Sequence, residues 1–216
     1  YIRLAGCGYA GCDALAKAIA AGQADVGACP VGGASTAEKI GAIMGVAGGA
    51  AEKKVAFVKC KGSCDKTAVQ YNYYGVDDCK KVSVVPGAGE KACAYGCMGY
   101  GSCVRACAFD AIHVVDGVAV VDKEKCVACG KCVASCPNHL IELVPYKAEH
   151  LVQCSSHDKG KDVKAVCAAG CIGCTLCTKQ CEFDAIHMEN NLAVIDYEKC
   201  TNCGKCAEKC PVKVIV

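Results

Sequence analysis

The chain of 216 residues has no tryptophan, three phenylalanines, three methionines and five prolines. Tyrosine, with nine residues, is thus the main aromatic. An excess of one charge is also missing: 24 basic residues face 22 acidic ones, for a net charge of +2. Nucleic-acid recognition asks for a basic face, and this balance offers none. No run of 18 consecutive apolar residues occurs, so no segment reads as a membrane span. The richest stretch, residues 40–51, is short and mostly Gly and Ala. No G-x-G-x-x-G follows a candidate strand. Gly32-Gly33 and Gly48-Gly49 therefore read as turn or linker glycines, and flavin or NAD has no phosphate cradle on this chain. Neither a Ser/His/Asp triad nor a carboxylate pair stands out, which argues against substrate chemistry on the side chains.

Cysteine is abundant instead, with 24 residues. Two runs share one plan: Cys126-Val-Ala-Cys129-Gly-Lys-Cys132-Val-Ala-Ser-Cys136-Pro137 and Cys200-Thr-Asn-Cys203-Gly-Lys-Cys206-Ala-Glu-Lys-Cys210-Pro211. This is the C-x2-C-x2-C-x3-C-P spacing of [4Fe–4S] ferredoxins. Three thiolates wrap one corner of a cage, and the fourth is carried to a neighbouring one. A disulfide scaffold needs no such triplets and is usually much shorter. Zinc ribbons use two C-x2-C pairs rather than triplets with a distant fourth Cys. The expectation is a row of about six iron–sulfur clusters, mostly [4Fe–4S], whose task is electron transfer in a reducing compartment.

An internal repeat has an offset of 74 residues. Cys107-Ala-Phe-Asp-Ala-Ile-His113 matches Cys181-Glu-Phe-Asp-Ala-Ile-His187, and Cys93, Cys97, Cys103 and Cys107 match Cys167, Cys171, Cys177 and Cys181. Short β-rich runs flank a turn at Asp116-Gly117 and its counterpart Asn190-Asn191. The fold expected is α+β. A small helical iron–sulfur domain spans 1–48, and a segment around Cys60, Cys64 and Cys79 spans 55–92. Ferredoxin-like two-cluster domains of βαββαβ type follow at 93–146 and 167–216, joined by a linker over 147–166. Helices are predicted at 13–21 and, behind a Ser35-x-x-Glu38 capping box, to about Met44. Val55 to Val58 reads as a strand.

In paired ferredoxins the fourth Cys serves the other cluster. That rule groups Cys171, Cys174, Cys177 with Cys210; Cys200, Cys203, Cys206 with Cys181; and Cys126, Cys129, Cys132 with Cys107. The remaining half has Tyr100 where its twin has Cys174, leaving Cys97, Cys103 and Cys136. Cys93 is favoured as the fourth ligand over a [3Fe–4S] cluster or a Tyr100 ligand; Tyr100 is read as a packing aromatic. Cys60, Cys64 and Cys79 suggest a further cluster completed by Cys93 or Cys154, the alternative being buried free thiols. Cys154 and Cys167 are taken as spare. Cys7, Cys12 and Cys29 give three ligands of an N-terminal cluster.

The N-terminal run Gly6-Cys-Gly-Tyr-Ala-Gly-Cys-Asp13 through Cys29-Pro-Val-Gly-Gly33 resembles the iron–sulfur domain of the B subunit of the Rnf complex, whose pattern is C-x2-C-x4-C-x16-C. Cys7, Cys12 and Cys29 match its last three positions, and Leu4 occupies the first. Lys59-Cys-Lys-Gly-Ser63, Asp78-Cys79 and the two ferredoxin pairs look like the longer, clostridial-type form. The resemblance implies a membrane complex coupling electron flow between ferredoxin and NAD to sodium or proton movement. It implies reduced ferredoxin as donor and the other Rnf subunits as partners. It places the chain at the cytoplasmic face of the membrane, with an anchor helix that is not in this sequence. Rival readings are a soluble polyferredoxin or electron-wire subunit of another oxidoreductase, and a structural zinc or metal-storage protein.

His113 and His187 read as strand-end residues without a redox role. Gly130 and Gly204 either bring backbone N–H groups to sulfur or simply set the turn. Lys131 and Lys205 in the cluster loops are either ordinary exposed lysines or a docking patch for an acidic ferredoxin. If they dock it, neutralising both flattens the ionic-strength dependence of electron transfer from ferredoxin. An unchanged salt profile in the double variant, followed by stopped-flow absorbance, removes the docking role.

Overall fold

The computed structural model describes residues 7, 9–46 and 52–216; Leu4, Gly6, Gly48 and Gly49 fall outside them. Near the N-terminus lie α1 (Cys12–Ala20) and α2 (Gly33–Met44). Both are amphipathic and bury a narrow face, Leu15, Ala18 and Ile19 on one and Ala37 and Gly41 on the other. α2 begins two residues before Ser35, at the N-cap Gly32, and no side chain caps it. The expected capping box is thus absent, because Ser35 already lies inside the first turn. α2 ends at Gly45 in the left-handed region (φ +66°), a common stop that spares a Cβ.

The first unit starts earlier than the cysteine repeat suggests. β1 (Lys54–Val58) pairs antiparallel with β4 (Ile141–Pro145), Val58 opposite Ile141. Between them run α3 (Cys79–Val82), α4 (Ser102–Ala106), the hairpin β2 (Ile112–Val115) with β3 (Val118–Val121), and α5 (Lys131–Ser135). The hairpin turns on Asp116 (φ +48°) and Gly117 (φ +74°), the two left-handed residues that a tight hairpin turn requires.

The second unit repeats this plan. α6 (Gly160–Val166) leads to α7 (Leu176–Gln180), the hairpin β5 (Ile186–Glu189) with β6 (Leu192–Ile195), and α8 (Lys205–Lys209). In place of the β1–β4 pair it has one bridge, Val152 opposite Ile215. Residues 147–166 are therefore not a plain linker: they supply this strand partner and α6. The bridge registers Val152 with Val58, an offset of 94, while Ile215 follows Ile141 by 74. The difference is an insertion. Cys60 and Cys93 lie 33 residues apart, whereas Cys154 and Cys167 lie only 13 apart. The 20 additional residues include α3.

β1 is buried on both faces, which explains its unbroken apolar run. Ala56 and Val58 join Ile112, Val118, Leu140 and Ile141 around the first unit's cysteines. Val55 and Phe57 face the other way, onto Val144, Ala148 and Leu151, with Tyr197 of the second unit at the edge. Val152, Ile186, Leu192, Ile195, Val214 and Ile215 form the second unit's core around Cys154, Cys171, Cys177 and Cys210. The units also meet where residues 66–68 bond to 166–168 through Ala68 N–H to Val166 O and Ala168 N–H to Lys66 O. Leu151 is only 3% exposed in the layer between the units. Leu151→Ala is expected to cost about 2–5 kcal/mol. Thermal unfolding of iron-loaded protein should show this as a lower Tm at unchanged iron content.

Candidate metal centres

The repeated cysteine loops share one backbone form. Ala128 (φ +54°) and Gly130 (φ +74°) are left-handed between Cys126 and Cys132, as are Asn202 (φ +57°) and Gly204 (φ +76°) between Cys200 and Cys206. Gly173 and Thr175 repeat the pattern after Cys171, and Gly99 and Gly101 repeat it after Cys97. Such alternation curls successive N–H groups toward a concave side, a shape suited to an anion. It strains Ala128 and Thr175 by about 1–2 kcal/mol, so the surrounding structure must hold it. Gly130 and Gly204 take left-handed positions in these turns. Among the described residues the N–H groups that reach sulfur come from elsewhere. Leu140 donates to Cys136 Sγ, Ala185 to Cys181 and Val214 to Cys210, each four residues on, at 3.3–3.4 Å.

Three groups of cysteines lie together as the spacing groups them. Cys107, Cys126, Cys129 and Cys132 line one cavity, and Cys181, Cys200, Cys203 and Cys206 line its twin. Cys171, Cys177 and Cys210 are buried in one cluster, with Cys174 close enough to Cys177 to raise its pKa.

The other half of the first unit differs from expectation. The cavity holding Cys97, Cys103 and Cys136 takes Cys79 as its fourth cysteine, not Cys93. The insertion delivers it. Asp78 caps α3 by accepting from Lys80 N–H at 2.9 Å, and Ser102 Oγ accepts from Cys79 N–H at 2.8 Å while donating to Asp78 at 2.9 Å. Those bonds hold the Asp78 carboxyl below its ordinary pKa, the Ser102 bond first. Tyr100, at the position of Cys174, packs edge-on against Tyr73 with centroids 5.3 Å apart.

Cys93 lies with Cys60, Cys154 and Cys167 on a fifth site between the units. The four come from separate segments, two from each unit, and the two halves match. Cys60 Sγ accepts from Gly62 and Cys97 N–H, and Cys154 Sγ accepts from Ser156 and Cys171 N–H, all at 3.3–3.4 Å. Thr67 Oγ1 lies 3.8 Å from Cys167 Sγ. The expected grouping of Cys60, Cys64 and Cys79 is not formed: Cys60 and Cys79 go to different cavities. Cys64, whose N–H bonds Asp116 O, rests on the Gly117 turn and enters neither. Cys154 and Cys167, read as spare from the sequence, both line this site. The missed signal was the strand register, which aligns Cys154 with Cys60; a single offset of 74 hides it. Of the N-terminal cysteines, Cys12 opens α1 and Cys29 accepts from Gly32 N–H at 3.3 Å.

The chemistry of these sites fits iron–sulfur cages. Burial, then neighbouring thiols, pushes Cys103 up to about 12 and Cys132 and Cys177 to about 11. Burial, eased by a Tyr95 backbone bond, puts Cys93 at about 11. These thiols become thiolates only on binding a cation, with release of protons. The site between the units also has a buried ammonium on its wall. Lys91 is 9% exposed and its Nζ donates to Gly62 O at 2.8 Å and Gly117 O at 2.6 Å, with no carboxylate paired to it among the described residues. A net-negative cage would supply the missing countercharge. Among the described residues no three His, Cys, Asp or Glu side chains converge on a point fit for one ion. Zinc, with bonds of about 2.3 Å, would draw its sulfurs to within about 4 Å of one another.

Comparison with known proteins agrees with this chemistry. Family models match as a 4Fe-4S dicluster domain over residues 170–214, a 4Fe-4S binding domain over 119–142 and a putative Fe-S cluster over 5–31. The chain is 50% identical to the B subunit of the Na(+)-translocating ferredoxin:NAD(+) oxidoreductase complex of Acetobacterium woodii, with 97% of this chain and 63% of the relative covered. It is 47% identical to the B subunit of the ion-translocating oxidoreductase complex of Methanosarcina acetivorans, covering 97% and 80%. It is 39% identical to the B subunit of the proton-translocating ferredoxin:NAD(+) oxidoreductase complex of Clostridium ljungdahlii, covering 97% and 75%. The chain thus spans less than two thirds of the Acetobacterium relative. With near-complete coverage of this chain in all three, and cluster-domain matches over its cysteine loops, the chain belongs to the B-subunit family of the ion-translocating Rnf oxidoreductase complexes.

Proposed function

We propose that this chain takes electrons from reduced ferredoxin and passes them to the membrane and flavin subunits of an ion-pumping ferredoxin:NAD oxidoreductase. The observation that carries the reading is the sorting of twenty of the 24 cysteines into five quartets. We assign a [4Fe–4S] cluster to each and a sixth cluster to the N-terminal domain with Cys7, Cys12 and Cys29. Cys79 as fourth ligand removes the need for a three-iron cage in the first unit. The two units are read as tandem ferredoxin-like βαββαβ domains, the first beginning at β1. The site between them, with Cys60 and Cys93 from one and Cys154 and Cys167 from the other, is the link by which electrons cross.

A bound cluster supplies one-electron chemistry that consumes no proton. The chain's part is to fix the sulfurs, keep water out and tune each site by N–H donors and nearby charge. Among the described residues no helix is long and apolar enough to cross a membrane. Placement at the cytoplasmic face of the membrane rests on the family alone. The relatives' names carry both sodium and proton, so membership of the family does not choose the ion.

Iron and acid-labile sulfide analysis of anaerobically purified protein should give about four of each per quartet. Colourless protein carrying zinc would overturn the reading. The assignment of Cys79 has its own test. Cys79→Ala should convert one cluster to a three-iron form, seen by EPR of the oxidised protein, and leave the site between the units intact. Cys93→Ala should disturb that site instead. The reverse pattern would return Cys93 to the first unit's cage.

A further inference from the structure

The twin cavities built on Cys107, Cys126, Cys129, Cys132 and on Cys181, Cys200, Cys203, Cys206 are alike in loop geometry but not in their walls. The pairings of Val58 with Ile141 and Val152 with Ile215 set Ala56 and His150 at the same position. In the first unit Ala56 lines the cavity, and its backbone N–H donates to Cys126 Sγ at 3.3 Å. In the second, the imidazole of His150 lines the cavity beside Cys200, Cys203 and Cys206. Its Nδ1 is shielded from solvent and has no hydrogen-bond partner among the described residues. A buried, unpaired ring nitrogen is costly. Its ring lies close against the loop: a Cβ on Gly204 would stand 3.1 Å from Nε2. Gly204, at φ +76°, is thus suited to this place by both its conformation and its lack of a side chain.

We infer that His150 Nδ1–H donates a hydrogen bond to the sulfur of the cage held by Cys181, Cys200, Cys203 and Cys206, and so raises that site's reduction potential. The inference rests on the cluster reading proposed above. One-electron reduction by a low-potential donor adds one negative charge to the cage; the ring keeps its proton. A hydrogen bond to sulfur strengthens as that charge grows, so it favours the reduced form. In the first unit alanine offers no side-chain donor. The two sites are thus tuned by different donors, a backbone N–H of Ala56 at one and a ring N–H of His150 at the other.

The test uses the full chain, purified anaerobically and titrated by EPR in mediated redox steps. Iron content and the number of cluster signals in unsubstituted protein are measured first. A shortfall there would defeat the cluster reading and this inference with it. His150→Phe, compared at equal iron content, should move one midpoint to lower potential by roughly a tenfold change in electron occupancy, or 59 mV for a one-electron couple. His150→Asn, which keeps a donor near the Nδ1 position, should recover most of that shift. No movement in His150→Phe, or equal movement in both variants, would overturn the inference, since the ring would then matter only for packing.

Discussion

Thiols gathered in fours inside a protein are an unstable arrangement on their own. Ionised, they repel; neutral, they are buried groups with weak hydrogen bonding and little packing value. Burial together with the neighbouring thiols pushes Cys103 up to about 12, which places the protein without cations on the neutral side of that choice at ordinary pH. A cationic iron–sulfide core resolves the conflict by turning four unfavourable neighbours into four bonds, and with its thiolates it forms the net-negative cage. The rest of the structure depends on this. Its cluster-loop helices are five residues long and its sheets are two-stranded, below what either element needs to stand alone. The apolar side chains do not form one continuous core but wrap separate cysteine groups. Metal binding and folding are then one equilibrium, as in other small metal-stapled domains.

The two units show how the same constraint is met with different residues. Where the second unit has Cys174, the first has Tyr100, which on the proposed reading would leave its cage one ligand short. The insertion of 20 residues brings Cys79 to the cavity on α3, anchored by Asp78 and Ser102 beside Cys103. Tyr100 packs on Tyr73 within the same insertion. On the proposed reading the extra segment completes the site; it also ties the units together, because residues 66–68 bond across to 166–168.

Legibility in the sequence followed the range of the contacts. The C-x2-C-x2-C-x3-C-P runs specify their own loops, so Cys126 to Cys136 and Cys200 to Cys210 could be placed from spacing alone. So could the Asp116-Gly117 and Asn190-Asn191 hairpins, where left-handed residues mark the turn. The site of Cys60, Cys93, Cys154 and Cys167 has no such mark. Its four sulfurs come from four segments, and only tertiary packing brings them together. The place of Cys79 is hidden for the same reason: the segment between Cys64 and Cys93 carries no spacing rule. Cys64 misled because it sits four residues from Cys60, yet its backbone bonds to Asp116 and turns it away. Ser35 failed as a cap because Gly32 and Gly33 let the helix begin sooner.

On the proposed reading, the grouping also constrains the path of electrons. Within each unit the cysteine after a triplet reaches across to the other cage, so the two sites of a unit are bridged by backbone through α4 and α5 or through α7 and α8. Between units, the site that draws equally on both halves sits at their contact, where Lys91 and the matched N–H donors to Cys60 and Cys154 surround it with positive potential. A link balanced in this way gives no direction by itself. Direction must come from what breaks the symmetry, and on the described residues that is the insertion on one side and the imidazole of His150 on the other. Near-identical loops can therefore form a graded series, because a cage's potential answers to the few groups around its sulfurs rather than to the spacing that holds them.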